Sequence, residues 1–380
     1  MIEVANRLKQ VEEYYFSKKL REVAFLKSQG KPIINLGIGS PDLEPPFKAT
    51  MLLKDSLDDE GANKYQSYQG LPELREAITG FYKSRYNVNI SAQTEVLPLM
   101  GSKEGIMHIS MAFLNKGDKV LVPNPGYPTY SSVTKLLEAK PIYYDLKEEN
   151  EWLPDFVALE RMDLTKVKIM WVNYPHMPTG ANAPNKFYDE VIAFGKRHNI
   201  LIVNDNPYSF VLNDKPISIM RYRNAKDICL ELNSLSKTFN MAGWRVGMLV
   251  GNYDLLSAVL RVKSNMDSGM FYGIQKGAIE ALKSSDMWYS SLNSVYQQRR
   301  ELIWKLAEKL NCTYDKHASG MFVWAKLPPH MKSEEFADLV LKEHSIFIAP
   351  GTVFGSNGEG YVRFSLCAEE SVIKEAIARV

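Results

Sequence analysis

The sequence predicts an α/β protein: a large domain built on a mostly parallel sheet covered by helices on two sides, and a smaller α+β domain. Three observations carry this expectation. Short apolar runs alternate with helix-spaced segments through the middle of the chain. Those runs are apolar on both faces, as strands sandwiched between two helix layers must be. At 380 residues the chain also exceeds what one hydrophobic core usually holds, so two domains are expected.

Taken in order, the first 45 residues lack the α/β rhythm and are expected to return to the small domain or to a partner. The strands expected next are "KVLVP" near 119, "PIYYDL" near 141, "KIMWVNYP" near 168, "ILIVND" at 200, "ICLEL" at 228 and "GMLVG" at 247. Between them, Phe187, Val191 and Phe194 fall on one helix face, and Leu255, Val259 and Val262 repeat that spacing. One long helical stretch is expected from about 270 to 310. The texture then changes: "CTYDKHASGMFVWAKLP", a helix around 333–343, "IFIAPGTVFG", "YVRFSLC" and a closing helix at 369–380 read as the α+β domain.

Composition narrows the class. Apolar residues make up 45% and charged residues 24%, ordinary values for a globular enzyme. Forty-six Lys and Arg against 44 Asp and Glu leave a formal charge of +2, with no electrostatic call for nucleic acid or an anionic membrane. Cys229, Cys312 and Cys367 are odd in number and widely spaced, which suggests neither a disulfide framework nor a thiolate metal cage. The charged N-terminus lacks a signal peptide's apolar core, and no run approaches membrane-spanning length, so a cytoplasmic protein is expected. The six histidines show no metal spacing, and neither a G-x-S-x-G elbow nor a G-x-G-x-x-G turn stands out.

The chemistry concentrates in "NSLSKTFNMAGWRVG", residues 233–247. Lys237 follows an expected buried strand and stands among Ser234, Ser236 and Thr238, with Arg245 eight residues on. Ligands of open α/β sheets gather beyond the carboxyl ends of strands. A lysine desolvated there beside a second cation has a lowered pKa and serves as an amine nucleophile. Hydroxyls and a guanidinium are what a phosphate wants. A reactive amine beside a phosphate cradle describes a site for pyridoxal phosphate. The same chemistry asks for a helix N-terminus at the phosphate, and "MGSKEGIMHIS" offers Gly101, Ser102 and Lys103. It asks for a carboxylate at the ring nitrogen, and Asp205 ends a strong apolar strand with Tyr208 three residues on. Tyr127 in "NPGYPTY" offers an aromatic face, and Arg363 in "YVRFSL" a cation for a substrate carboxylate. There, alternation sets Tyr361, Arg363 and Ser365 opposite Val362, Phe364 and Leu366.

Together these stretches resemble the fold-type I pyridoxal-phosphate aminotransferases of class I/II. The motifs run in family order: "INLGIGSPD", "NKYQSYQGLPELREAI", "GSKEGI", "NPGYPTY", "NYPHMPTGA", "NDNPY", "SLSKTFNMAGWRVG" and "YVRFSL". The resemblance implies a seven-stranded sheet in a large domain over 46–283, a small domain from 1–45 and 284–380, and a homodimer. It implies that Lys237 forms the Schiff base, that Asp205 pairs with the pyridinium nitrogen and Tyr208 with the phenolic oxygen. Ser102, Lys103, Ser234, Ser236 and Arg245 would hold the phosphate, Tyr127 would stack on the ring, and Tyr65 would reach the phosphate of the neighbouring subunit. Arg363 and Gly39 would meet the substrate. One departure stands out: Met177 occupies the place of the asparagine that usually bonds the phenolic oxygen, which leaves Tyr208 alone there or assisted by His176 or a water.

"YYFSKKLREV" and "KSNMDSGMFYGIQ" are most similar to the branch holding LL-diaminopimelate and aspartate aminotransferases, which points to Tyr14, with Tyr15 as alternative, as a substrate contact. The implied activity is transfer of an amino group from an L-amino acid to a 2-oxo acid in ping-pong half-reactions. A β-elimination lyase of the same fold and a non-catalytic effector domain are the alternatives. For an acidic side chain, Arg21, Arg261 and Lys263 are the candidate second cations.

Overall fold

The computed structural model describes residues 2–380. A helix, Tyr15–Ser28, precedes a two-residue strand, β1 (Ile34–Asn35). Seven strands then build one sheet: β2 (Val96–Leu99), β3 (Lys119–Asn124), β4 (Lys140–Asp145), β5 (Val167–Val172), β6 (Leu201–Asp205), β7 (Cys229–Ser234) and β8 (Gly247–Val250). Their order is β2-β8-β7-β6-β5-β3-β4, parallel except that β8 runs antiparallel to both its neighbours. The mostly parallel seven-stranded α/β sheet is therefore present. The six strands named from the sequence all lie in it, whereas β2 was not anticipated. Pro98 weakens its strand signal, and a proline is tolerated there because β2 is an edge strand, where a missing N–H breaks little of the ladder.

Both faces of the sheet are covered. On one side Phe187, Val191 and Phe194 of the helix Asn185–His198 enter a large core with Phe81, Tyr82 and Met170. That helix stops at Asn199, left-handed at φ 53°, with Lys196, Arg197 and His198 in its last turn, where cations complement the helix dipole. On the other side Ile106 and Ile109 of the helix Ser102–Phe113 pack with Val120, Trp171 and Leu230.

A further core draws on both ends of the chain, from Phe16 to Leu36 and from Leu292 to Ala376. It surrounds a four-stranded antiparallel sheet of β9 (Thr313–Tyr314), β10 (Phe322–Lys326), β12 (Ala349–Pro350) and β13 (Tyr361–Ser365), while β1 pairs in parallel with β11 (Ile346–Phe347). The single helix expected over 270–310 is instead two, Tyr272–Leu282 and Asp286–Lys309. No glycine or proline marks the break. Arg85 Nη2 donates to the Ser284 carbonyl at 2.8 Å, so a distant helix takes the carbonyl that a continuous helix would use itself. Among the described residues, no helix is long and apolar enough to cross a membrane.

Candidate active site

The carboxyl ends of the parallel strands converge on one cavity of about 600 Å³. Strand β6 ends in Asp205, β7 ends in Ser234, Asn173 follows β5, and Tyr127 follows β3. Of the residues singled out in the sequence, Tyr14, Gly39, Ser102, Lys103, Tyr127, Asp205, Tyr208, Ser234, Ser236, Lys237, Arg245 and Arg363 all line it. Tyr65 does not; it is 89% exposed on the surface. Tyr15 lies outside the lining, so of the two tyrosines in the N-terminal arm it is Tyr14 that faces in.

Lys237 rides on a single turn, Leu235–Thr238, that β7 feeds directly. Its ammonium donates to the Gly39 carbonyl at 2.6 Å, tying the arm of residues 34–42 to the sheet. Desolvation, with Arg363 and Arg245 adding positive field, lowers its pKa to about 8. The neutral amine therefore dominates above pH 8. Acetylation of Lys237 in cofactor-free protein, followed by peptide mass spectrometry against pH, should show a midpoint near 8 rather than 10.5; an unshifted midpoint would refute the desolvated site.

In the same cavity, Asp205 is buried and accepts from the Tyr130 hydroxyl at 2.8 Å on Oδ2, while Oδ1 has no partner among the described residues. Burial raises its carboxyl to about 6, and the Tyr130 hydrogen bond works the other way. It is ionised at neutral pH with one oxygen free. Asn173, absent from the sequence reading, clamps this corner: its side-chain N–H donates to the Asp205 carbonyl, and its Oδ1 accepts from Met177 N at 2.8 Å. Tyr130 and Asn173 each carried a faint signal, one at the end of "NPGYPTY" and the other just past a strand.

At another end, the helix Ser102–Phe113 starts after Gly101 with no side-chain cap, and the N–H groups of its first turn have no intrahelical acceptor. Arg245 holds a left-handed backbone, φ 58°, and its guanidinium lies where a Cβ on Gly101 would stand, 2.3 Å from Nη2. The side chains of Ser102, Ser234 and Ser236 line the same cavity. Lys103 Nζ sits 4.6 Å over the Tyr14 ring, and its pKa is lowered by burial and then by Arg245.

Arg363 is buried rather than solvated. Strand β13 sets it beside Trp324 and Ala349, Nη2 donates to the Gly37 carbonyl at 2.9 Å, and Nη1 meets the Met177 sulfur at 3.3 Å. The rings of Phe322, Phe354 and Phe16 surround the guanidinium at 3.8, 4.6 and 5.4 Å. Burial pushes its pKa down to about 10, so it stays a cation at neutral pH, poorly solvated and short of oxygen acceptors. No sequence signal reveals this sheath, since its rings come from three distant segments. His176 turns away instead, bonded to Thr179 Oγ1 at 2.8 Å and held neutral by burial, which lowers its pKa to about 3.

The proposed second cations lie elsewhere. Arg21 pairs with Glu13 at the surface, Arg261 is exposed, and Lys263 is buried 2.9 Å from Asp267. Glu104, His108 and Asp267 bring ligand-type atoms within 4.8 Å of one another, a cluster the histidine spacing did not reveal. The Lys263 ammonium already on Asp267 opposes a metal cation there.

The comparisons agree with this geometry. The family model of aminotransferase class I and II matches residues 31–380. The LL-diaminopimelate aminotransferase of Maridesulfovibrio salexigens is 40% identical over 380 residues, covering 99% of this chain and 98% of that protein. The apo structure of BacF from Bacillus subtilis superposes with a TM-score of 0.95 at 36% identity, covering 100% of this chain and 98% of that chain. A single-mutant aspartate aminotransferase of Thermus thermophilus, at 23% identity and TM-score 0.92 over 100% and 99% of the two chains, supports the fold alone. The reaction is pyridoxal-phosphate-dependent transfer of an amino group between an amino acid and a 2-oxo acid. This chain belongs to the class I and II aminotransferases.

Proposed function

We propose that the cavity carries out this transfer with Lys237 as the covalent and proton-moving group, Asp205 as the ring-nitrogen partner and Arg363 as the receptor of the donor's α-carboxylate. The observation that carries the proposal is the meeting of three complementary features in one cavity: an amine of lowered pKa, a buried carboxylate with one free oxygen, and a poorly solvated guanidinium.

The residues fit pyridoxal phosphate. The unpartnered Asp205 Oδ1 suits a protonated ring nitrogen. Gly101, Ser102 and the uncapped helix N-terminus beside Arg245 suit a phosphate, with Ser234, Ser236 and Lys103 around it. Tyr208 is the hydroxyl available to the phenolic oxygen, and Tyr127 the ring to stack. Bound there, pyridoxal phosphate supplies an aldehyde that captures amino groups and a ring that stores the electron pair left at Cα. Arg363 holds the donor's carboxylate and orients the Cα–H bond, with the Gly39 backbone close by because a side chain at 39 would strike Phe322. Lys237 Nζ, once displaced, takes the Cα proton and returns it on the product side.

Gly101→Ala tests the cradle: its Cβ meets Arg245 Nη2, and φ is 91°. Cofactor affinity should fall about tenfold or more, read from cofactor retained on dialysis. Amino transfer itself is separated from elimination by mixing holoenzyme and donor without an acceptor. One oxo acid per cofactor, with turnover restored by an added 2-oxo acid, is expected; continuous release of ammonia would reject the assignment.

The same proposal includes a homodimer, two domains and a cytoplasmic setting. Phe47, Met51, Tyr65, Met266 and Phe271 are exposed, and the segments bearing them adjoin where Gly269 packs on Gln66, a surface suited to a second copy. Tyr65 on that surface is the residue to reach a neighbour's phosphate. The division at 46–283 against 1–45 and 284–380 follows the core shared by both chain ends. Three free cysteines suit a reducing compartment. LL-diaminopimelate belongs among the donors to test because a relative bears that name.

A further inference from the structure

We propose that Asp42 and Arg299 are positioning residues for Lys237: their ion pair fixes the stretch of chain after Ile38, so that the Gly39 carbonyl stands where the lysine amine needs it. The inference rests on the reading of Lys237 as the covalent and proton-moving group. Lys237 donates to the Gly39 carbonyl at 2.6 Å, and Gly39 lies between two anchors. Upstream, Leu36 N donates to the Phe347 carbonyl and Ser365 N to the Leu36 carbonyl, while Asn35 Oδ1 accepts from the Gly37 and Ile38 N–H groups at 3.1 and 3.2 Å. Downstream, both carboxylate oxygens of Asp42 accept from Arg299, at 2.7 Å from Nη1 and 2.9 Å from Nη2. Arg299 stands on the helix Asp286–Lys309, and its Nη1 also donates to the Leu366 carbonyl at 3.1 Å, one residue past β13.

Two features mark this pair as a device of geometry more than of stability. The Arg299 side chain is 4% exposed and that of Asp42 27%, and a pair so buried is often replaced by apolar groups without loss of stability. Its two parallel hydrogen bonds, however, admit one relative placement of the helix and the arm. The arm also cannot sink toward β10 or β11. A Cβ at position 39 would stand 2.2 Å from the Phe322 ring, and one at 37 would stand 2.6 Å from Phe347, so both glycine backbones already lie against rings. Held there, Ile38 and Gly39 form the cavity wall at the amine and restrict the water that reaches Lys237.

Asp42→Ala leaves a buried guanidinium unpaired and should lower Tm; adding Arg299→Met removes that charge and should return most of the loss. Function should not return with it. In the full chain stripped of cofactor, the acetylation midpoint of Lys237 should rise by roughly one pH unit or more in both variants, as water reaches the amine. Cys367, Arg363 and Arg245, the groups whose charge acts on that amine, are unchanged in both. In the holoenzyme kcat should fall about tenfold or more. Affinity for propionate, a carboxylate probe of Arg363, should stay within about threefold, because the Gly37 carbonyl that holds Arg363 belongs to the stretch fixed by Asn35. A parent-like midpoint or a parent-like kcat in the double variant would overturn the proposal. So would an equal loss of propionate affinity, which would mark a general loosening of the fold. A raised midpoint in a chain whose parent turns over no donor would sustain the clamp and remove the role of Lys237 in amino transfer instead.

Discussion

Lys237→Ala is expected to lower turnover by at least about 10³-fold, the largest effect of any single substitution in this chain. The variant loses the group that joins the cofactor and the group that moves the Cα proton, because both are the same nitrogen. It should nevertheless fold. Among the described residues the amine hydrogen-bonds the Gly39 carbonyl, and leaving that acceptor to solvent in an open cavity costs on the order of 1 kcal/mol. Circular dichroism should therefore match the parent. The covalent half of the prediction has its own readout. After incubation with pyridoxal phosphate and reduction with borohydride, the parent should carry the added mass on the peptide containing Lys237, and the variant should carry none. Turnover within tenfold of the parent would place the reaction on another residue.

Arg363→Lys ranks second. It keeps the positive charge but removes the planar fork, and lysine presents a point charge where a carboxylate expects two parallel donors. The site also makes Arg363 hard to replace. Its Nη2 donates to the Gly37 carbonyl, its Nη1 meets the Met177 sulfur, and three rings surround it. A carboxylate arriving there meets an undersolvated cation, and truncating one partner of such a pair typically costs about 2–5 kcal/mol. A fall in kcat/KM of about 10²-fold or more, mostly in KM, is expected for any amino acid donor. An amine of similar shape without the carboxylate should react with parent and variant alike. If that amine suffers equally, Arg363 acts on the fold of the site and not on the carboxylate.

Much of the site was legible because the signals were local. Asp205 was visible as an acid ending an apolar strand, and Lys237 as a lysine set in hydroxyls after another. Gly101 and Ser102 read as a helix start. In each case the neighbours in sequence are the neighbours in space. Arg363 was half legible. Alternation assigned its face, but that face would have been solvated in isolation. It is buried because β13 leans on Phe16, Phe322 and Phe354, segments separated by tens to hundreds of residues. Met177 shows the same limit: its identity marked a departure from the family pattern, whereas its contact with Arg363 is a tertiary fact.

The sequence by itself determined the sheet, its six recognisable strands and the order of the chemical groups along the chain. Hydrophobic period, strand-end position and turn chemistry act over a few residues, and they suffice for those features. Folding alone decided the edge strand β2 with its proline, the break at Ser284 and the aromatic housing of Arg363. Each depends on which distant surfaces exclude water from one another, and no window of consecutive residues contains that information.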